Sequence, residues 1–322
     1  MYGSISLLYH HTMTSKEKAT CKNETVFHSE ALLPFKQYIR KRENRMHEIE
    51  PFVKWVGGKR QLLPVIEKHL PRSYKSYYEP FVGGGAVFLH LKPCHAHIND
   101  INRPLMHTYK AIEEQSSDIL ALLSEMDYKL RREGETHYYR IRDAYNQRVA
   151  EGRYDAFLSA AFIFLNKHGF NGLFRVNRHG EFNVPYNQSV CPSYARKNME
   201  RLSALLQQLN PQMTSLDFEE SVQDAKEGDF VFFDSPYAPL TETSFVGYTK
   251  DGFGKAEHIR LADLFRKLTG QGVSCMLTNH NTPFIRDLYE GFRQEVVPVR
   301  RSINRDGRHR VGEELIITNY ES

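Results

Sequence analysis

The sequence predicts an α/β fold on a largely parallel sheet, and three stretches carry that prediction. Phe230-Val231-Phe232-Phe233 places four apolar residues in a row, as in a strand buried on both faces, and Asp234-Ser235-Pro236-Tyr237 ends it at a proline that cannot continue the ladder. Tyr77-Tyr78-Glu79-Pro80-Phe81-Val82 runs into Gly83-Gly84-Gly85 and an apolar helix, the form of a first βα unit. About twenty residues on, Ala96-His97-Ile98-Asn99 reads as a second strand that ends on Asp100. Open α/β sheets bind ligands at the carboxyl ends of their strands, so Asp100 and Asp234 stand where a ligand is expected, and a ligand would lie over the glycine turn.

The elements follow in order. Residues 1–45 are mostly polar, show no defensible period and end in Arg40, Lys41, Arg42 and Arg45, just before a second methionine, Met46. They read as a poorly ordered extension or upstream sequence, with a basic DNA-binding arm as the alternative. Lys54-Trp55-Val56-Gly57-Gly58-Lys59-Arg60 leads into a helical pattern at Leu62, Leu63, Ile66 and Leu70; it lacks the second half of a P-loop. Asp100 suits a ribose hydroxyl, or the cap of a helix starting near Pro104. Residues 105–165 are mostly helical by period. In the stretch from Asn166 to Tyr186, glycine, asparagine, basic and aromatic residues alternate, and two short strands around His179-Gly180 would form a hairpin able to enter a DNA groove. A helix is expected over about 193–209 and strands over Met213–Phe218 and Phe230–Phe233. A polar loop follows from Thr241 to Phe253, then a helix over about 255–270 and strands over Val273–Thr278, Glu295–Val299 and Glu314–Thr318. Arg300, Arg301, Arg305, Arg308 and Arg310 make a positive turn before the last strand, suited to phosphate.

Composition narrows the class. With 322 residues, 40% hydrophobic and 25% charged, the chain is an ordinary soluble globular protein of one large or two ordinary domains. A net charge of +4 permits a nucleic-acid partner without requiring one. Cys21, Cys94, Cys191 and Cys275 are scattered with no Cys-x-x-Cys pair, which argues against zinc or a disulfide framework and fits the reducing cytoplasm. No apolar run approaches the roughly 20 residues of a membrane span, and the N-terminus lacks the pattern of a secretory signal.

Taken together, Lys54-Trp55-Val56-Gly57-Gly58-Lys59, Glu79-Pro80-Phe81-Val82-Gly83-Gly84-Gly85, Gly172-Leu173-Phe174-Arg175-Val176-Asn177, Gly180-Glu181-Phe182-Asn183-Val184-Pro185 and Asp234-Ser235-Pro236-Tyr237 resemble the Dam/DpnII-type DNA adenine-N6 methyltransferases of the D12 class over Pro51 to Tyr320. The resemblance implies a Rossmann-like methyltransferase sheet formed by 46–110 and 210–322, with a helical DNA-recognition subdomain bearing a β-hairpin inserted at 111–209. It implies S-adenosylmethionine as methyl donor and no metal. Trp55, Lys59, Glu79, Phe81, Asp100, Asp217, Phe218 and Asp234 would line the donor pocket, Asp100 taking the ribose and Asp217 with Phe218 the adenine. Lys54 would read the first guanine of a GATC site, Phe170 would intercalate, and Asn171, Leu173, Arg175, Asn177 and Pro185 would contact the site. Asp234, Ser235, Pro236 and Tyr237 form the catalytic box, in which the family's Asp-Pro-Pro-Tyr carries Ser235 as its second residue.

The partners implied are double-stranded DNA and, as an open second partner, a restriction endonuclease acting on the same site; the protein is expected to act as a monomer and to meet no membrane. Two other readings stay open. One is a catalytically silent DNA-binding homologue, because of Ser235. The other is a cytosine-N4 methyltransferase, against which Asp234 speaks, since those boxes tend to carry serine there.

Overall fold

The computed structural model describes residues 49–239, 252–300 and 311–321. The extension expected at 1–45, most of the polar loop after Thr241 and the arginine turn at 301–310 lie outside those residues. Seven strands form one sheet: β1 Tyr77–Glu79, β2 Ala96–Asn99, β3 Gln212–Thr214, β4 Phe230–Phe233, β5 Ser274–His280, β6 Arg293–Arg300 and β7 Val311–Thr318. Their order is β3-β2-β1-β4-β5-β7-β6. The first five run parallel, and β7 lies antiparallel between β5 and β6. The chain winds outward from β1 through β2 to β3 and then crosses back to pair β4 with β1. The carboxyl ends of β1 and β4 therefore meet where the winding reverses, which is where α/β sheets open a ligand crevice.

Alternation along the strands divides the core. Tyr77, Ile98, Phe230, Phe232, Met276 and Ile316 join one buried cluster, while Tyr78, Val231, Phe233, Cys275, Leu277 and Ile317 join another. The first is covered by the helices that follow β2, namely α3 Arg103–Glu133, α4 Glu135–Ala150, α5 Ala156–His168 and α6 Arg196–Leu209. The second is covered by α7 Lys255–Gly270 and α8 Pro283–Leu288. Two short helices, α1 Leu63–Lys68 and α2 Ala86–Leu91, precede them, the second starting directly after the glycine turn. Four consecutive apolar residues in β4 are needed because both of its faces are covered, and each buried side chain contributes about 1.5–3 kcal/mol. Among the described residues, no helix is long and apolar enough to cross a membrane.

Three expectations are adjusted. The cap of α3 is Asn102, whose side chain accepts from the Leu105 N–H at 3.0 Å, so Asp100 is left for another use. The strand expected over 213–218 stops at Thr214, because the Asn99 side chain takes the Leu216 N–H at 2.8 Å and ends the ladder. The hairpin around His179-Gly180 is one antiparallel bridge, Val176 to Phe182, rather than two strands. Asn146 on α4 supplies the bonds a neighbouring strand would have made, accepting from Phe182 N at 2.8 Å and donating to its carbonyl at 3.1 Å.

Candidate active site

Three buried or half-buried charges gather where β1 and β4 end. Lys59 Nζ lies 2.6 Å from Asp234 Oδ1 and donates to the Gly57 carbonyl at 2.6 Å. The Thr278 hydroxyl of β5 also donates to Asp234 Oδ1, at 3.1 Å. Among the described residues no bond falls on Asp234 Oδ2. Burial pushes the Asp234 carboxyl above the usual carboxylate range, against the pull of Lys59 and Thr278. Glu79 is more deeply buried and accepts from the Tyr77 hydroxyl at 2.6 Å. Burial raises it to about 8, although the Tyr77 bond draws it back, and the nearby Asp234 charge raises it further.

The rest of the box is fastened to the last strands. The Ser235 side chain is buried, and its hydroxyl accepts from Asn279 Nδ2 of β5 at 3.4 Å, a long bond. Asn279 Oδ1 accepts the Ala238 N–H at 2.9 Å, so one side chain holds both ends of the segment. The Tyr237 hydroxyl donates to Glu314 Oε2 at 2.6 Å, its ring meets His280 edge-on at 4.7 Å, and Lys59 Nζ lies 4.4 Å from its ring centre. Lys59, expected in the donor pocket, thus touches the catalytic box.

Beside this cluster lies the glycine turn. A Cβ on Gly83, whose φ is +48°, would fall 2.5 Å from Trp55 Cδ1, so the indole needs the glycine in order to lie on the turn. The other neighbours of Trp55 are Phe174, stacked at 5.8 Å, and Phe162 at 6.4 Å. Asp100 Oδ2 accepts the Gly83 N–H at 3.1 Å and Oδ1 the Asn102 N–H at 2.9 Å; burial still raises the carboxyl to about 6. Phe81 and Phe218 stand 5.5 Å apart, and Phe253 closes a triangle with them at 5.6 and 5.8 Å. Asn99 binds the carbonyls of Pro80 and Leu216, both at 3.0 Å, and so sets the spacing between Phe81 and Asp217.

The residues expected to read DNA lie on a second surface. Phe170 is 53% exposed, and its N–H is held by the Pro185 carbonyl at 2.8 Å, which brings Phe170 and Asn171 beside Pro185. Asn171 takes a left-handed φ of 56° at the turn. Arg175 is exposed, with Nε and Nη2 on Asn183 at 2.7 and 3.3 Å. Asn177 accepts the N–H groups of His179 and Glu181, so its side chain holds the turn. Leu173 is half-buried against the core. Asn166, buried on α5, accepts the Lys54 N–H at 2.7 Å and donates to the carbonyls of Lys54 and Gly172, both at 2.9 Å. Lys54 and the turn at Gly172 are thereby joined through one amide. Burial and the neighbouring Lys54 lower Lys167 to about 8.

The model of the D12 class N6 adenine-specific DNA methyltransferase family matches residues 55–303. The chain belongs to that family. The family depends on S-adenosylmethionine and acts on DNA. Similar relatives are the type II methyltransferase M1.LlaDCHI of Lactococcus lactis subsp. cremoris, 37% identical over 84% of this chain and 96% of its own, and the type II methyltransferase M.MjaIII of Methanocaldococcus jannaschii, 40% identical over 85% and 100%. The DNA adenine methylase of Escherichia coli K12 is 32% identical over 86% of this chain and 97% of its own.

The residues present fit the family's donor. It has a purine, ribose hydroxyls and cationic centres. The chain offers an aromatic pair beside Asp217, a carboxylate at the end of β2, and in Glu79 a buried carboxyl whose charged form is short of a cation. Sequence reasoning missed Asn99, Asn166, Thr278, Asn279, Phe253 and Glu314. Asn99, Thr278 and Asn279 stand at or next to the ends of predicted strands, the signal that could have found these members of the set, since strand ends line the crevice.

Proposed function

We propose that this chain transfers a methyl group to N6 of an adenine flipped out of duplex DNA, within a GATC site. The observation that carries the reading is the half-buried Asp234 carboxylate at the strand crossover, with Oδ1 held by Lys59 and Thr278 and Oδ2 turned to no other described residue. The amino nitrogen of adenine is a poor nucleophile because its lone pair enters the ring. Asp234 Oδ2 accepts one amino hydrogen and the main-chain carbonyl of Ser235 the other, which favours the pyramidal nitrogen that attacks. Acceptors aimed in this way are worth roughly 3–4 kcal/mol each, by analogy with an oxyanion-hole donor. A duplex base cannot reach Asp234 while stacked, hence the flip, and the Tyr237 ring would stack on it, worth about 1–3 kcal/mol. When bound, S-adenosylmethionine supplies the electrophilic methyl. Asp100 would hold its ribose, Phe81, Phe218 and Asp217 its adenine, and Glu79 its cationic end.

The Ser235 hydroxyl supports activity rather than silence: it accepts from Asn279, and among the described residues no hydrogen bond joins it to Asp234. Residues 111–209 act as the reading part, with Lys54 on guanine, Phe170 as wedge and Arg175 at a base edge. Names of type II methyltransferases among the relatives support a restriction endonuclease acting on the same site as a second partner. The test is transfer of a tritiated methyl group to duplexes with and without GATC, and with cytosine as the only possible acceptor. Label in adenine of GATC alone is expected. Label in cytosine, or none with intact DNA binding, would overturn the reading.

A further inference from the structure

Arg260 on α7 touches three consecutive residues of the loop after β3. Its Nη2 donates to Asp217 Oδ1 at 2.8 Å, its Nε to Glu219 Oε1 at 3.0 Å, and the guanidinium lies 4.7 Å from the Phe218 ring centre. Asp217 Oδ1 also accepts the Glu219 N–H at 3.0 Å. Both bonds therefore converge on Oδ1, and among the described residues none falls on Oδ2. Phe218 is fixed at the same time, with Arg260 near its ring and Phe81 and Phe253 packed against it.

Stability does not account for this arrangement. Arg260, Asp217 and Glu219 are 43%, 38% and 45% exposed, and ion pairs so open to water contribute little to folding. What the contacts do set is direction. A carboxylate free to rotate presents either oxygen to the crevice; one with Oδ1 held from two sides presents Oδ2. A planar guanidinium can hold two carboxylates in its fork and lie against an aromatic ring together, which an ammonium cannot.

We propose that Arg260 is a positioning residue for the nucleoside end of the methyl donor. It aims Asp217 Oδ2 at the exocyclic amino group of the purine and so makes the site select adenine over its deaminated, carbonyl-bearing counterpart. The proposal rests on the reading of Asp217 and Phe218 as the purine site. An anionic acceptor gains a hydrogen bond from an amino group and meets only repulsion from a carbonyl oxygen, so the preference depends on where Oδ2 points.

The experiment measures, by calorimetry on the full chain, the dissociation constants of S-adenosylhomocysteine and S-inosylhomocysteine. Native protein is compared with Arg260→Ala, Arg260→Lys and Asp217→Ala. Native protein is expected to prefer the adenosyl compound. Arg260→Ala should weaken it roughly tenfold, the scale of one charge-assisted hydrogen bond, and leave the inosyl compound unchanged. Arg260→Lys, which keeps the charge but not the fork, should recover part of the loss. The ratio of the two affinities is a readout that general loosening of the loop would not move, and it remains measurable in the lysine variant if the alanine variant folds poorly. An unchanged ratio in both Arg260 variants, with Asp217→Ala losing the preference, would overturn the role of Arg260 alone. A native ratio retained in Asp217→Ala would remove the purine reading and the proposal with it.

Discussion

The two regions expected to meet DNA are built in opposite ways. At the strand ends, carboxyls are buried or half-buried, bonded within the protein and raised by burial: Asp234 is held by Lys59 and Thr278, Glu79 is raised to about 8 and Asp100 to about 6. Phe170 and Arg175, expected to meet DNA, are exposed and held lightly: Phe170 through its N–H to Pro185, Arg175 through two bonds to Asn183, and the segment through the Asn166 amide. Chemistry on a neutral amino group needs acceptors fixed before the substrate arrives, which a low-dielectric pocket provides. Reading a groove needs side chains that exchange water for base edges, which burial would prevent. Residues of the first kind should therefore govern rate and those of the second kind affinity and base choice.

The largest expected effect tests that separation directly. Asp234→Ala should lower single-turnover methylation by at least roughly 10²–10³-fold while the dissociation constant for GATC duplex stays within a few-fold. Turnover close to native would take Asp234 out of the mechanism, and a matching loss of DNA affinity would erase the contrast between the regions.

Next comes the cost of the buried charge. The folded-state value of Glu79 lies above its ordinary 4.5, so its contribution to stability is fully present below 4.5 and is lost as pH rises towards 8. Glu79→Gln keeps an oxygen for the Tyr77 hydroxyl and cannot ionise. Its stability should match the native protein near pH 4.5 and exceed it increasingly up to about pH 8, by a few kcal/mol on the order of the linkage relation. Denaturant melts at pH 5, 7 and 8.5 measure this, and a constant difference across the series would show that the folded-state value of Glu79 is not raised.

The contrast also explains what the sequence could and could not reveal. β1, β2, β4 and α7 are legible because apolar period and terminal glycine, proline or acid are local signals. The bonds that finish the site are not local. Asn166 joins Lys54 across 112 residues, and Asn99 ends β3 early across 117. An asparagine read in isolation says only that a turn is near. Asp234 and the glycine turn are legible from strand ends, whereas the bonds of Thr278 to Asp234 and of Asn279 to Ser235 become visible only once β5 is paired beside β4.

On the exposed side the effects are smaller. Arg175→Ala should cost about 1–3 kcal/mol at GATC and less at sequences altered in the guanine it contacts. Equal losses at all sequences, read by competition binding, would make Arg175 a phosphate contact. The smallest effect returns to the buried box. Ser235→Pro should speed single turnover roughly two- to five-fold through the 0.4–1 kcal/mol of chain entropy that proline removes, since among the described residues no hydrogen bond joins the hydroxyl to Asp234. Donor affinity measured alongside should not change. A slower proline variant would mean that the Asn279 bond fixes the box better than a ring does.

The Asn166 amide bears on modularity. One side chain bonds the main chain at Lys54 and at Gly172, and a Cβ on Gly172 would strike the Lys54 side chain. The stretch from 166 to 172 therefore has a fixed length and a fixed seat. The exposed side chains at 170 and 175 take no part in that seat, whereas Asn171 holds a left-handed φ and Leu173 packs on the core; an insertion or deletion between the amide and the glycine would unseat Lys54 as well. Under the proposed reading, redesign of the recognised sequence is open to substitution at the exposed positions and closed to loop grafting, unless the graft carries its own asparagine and its own glycine at that spacing.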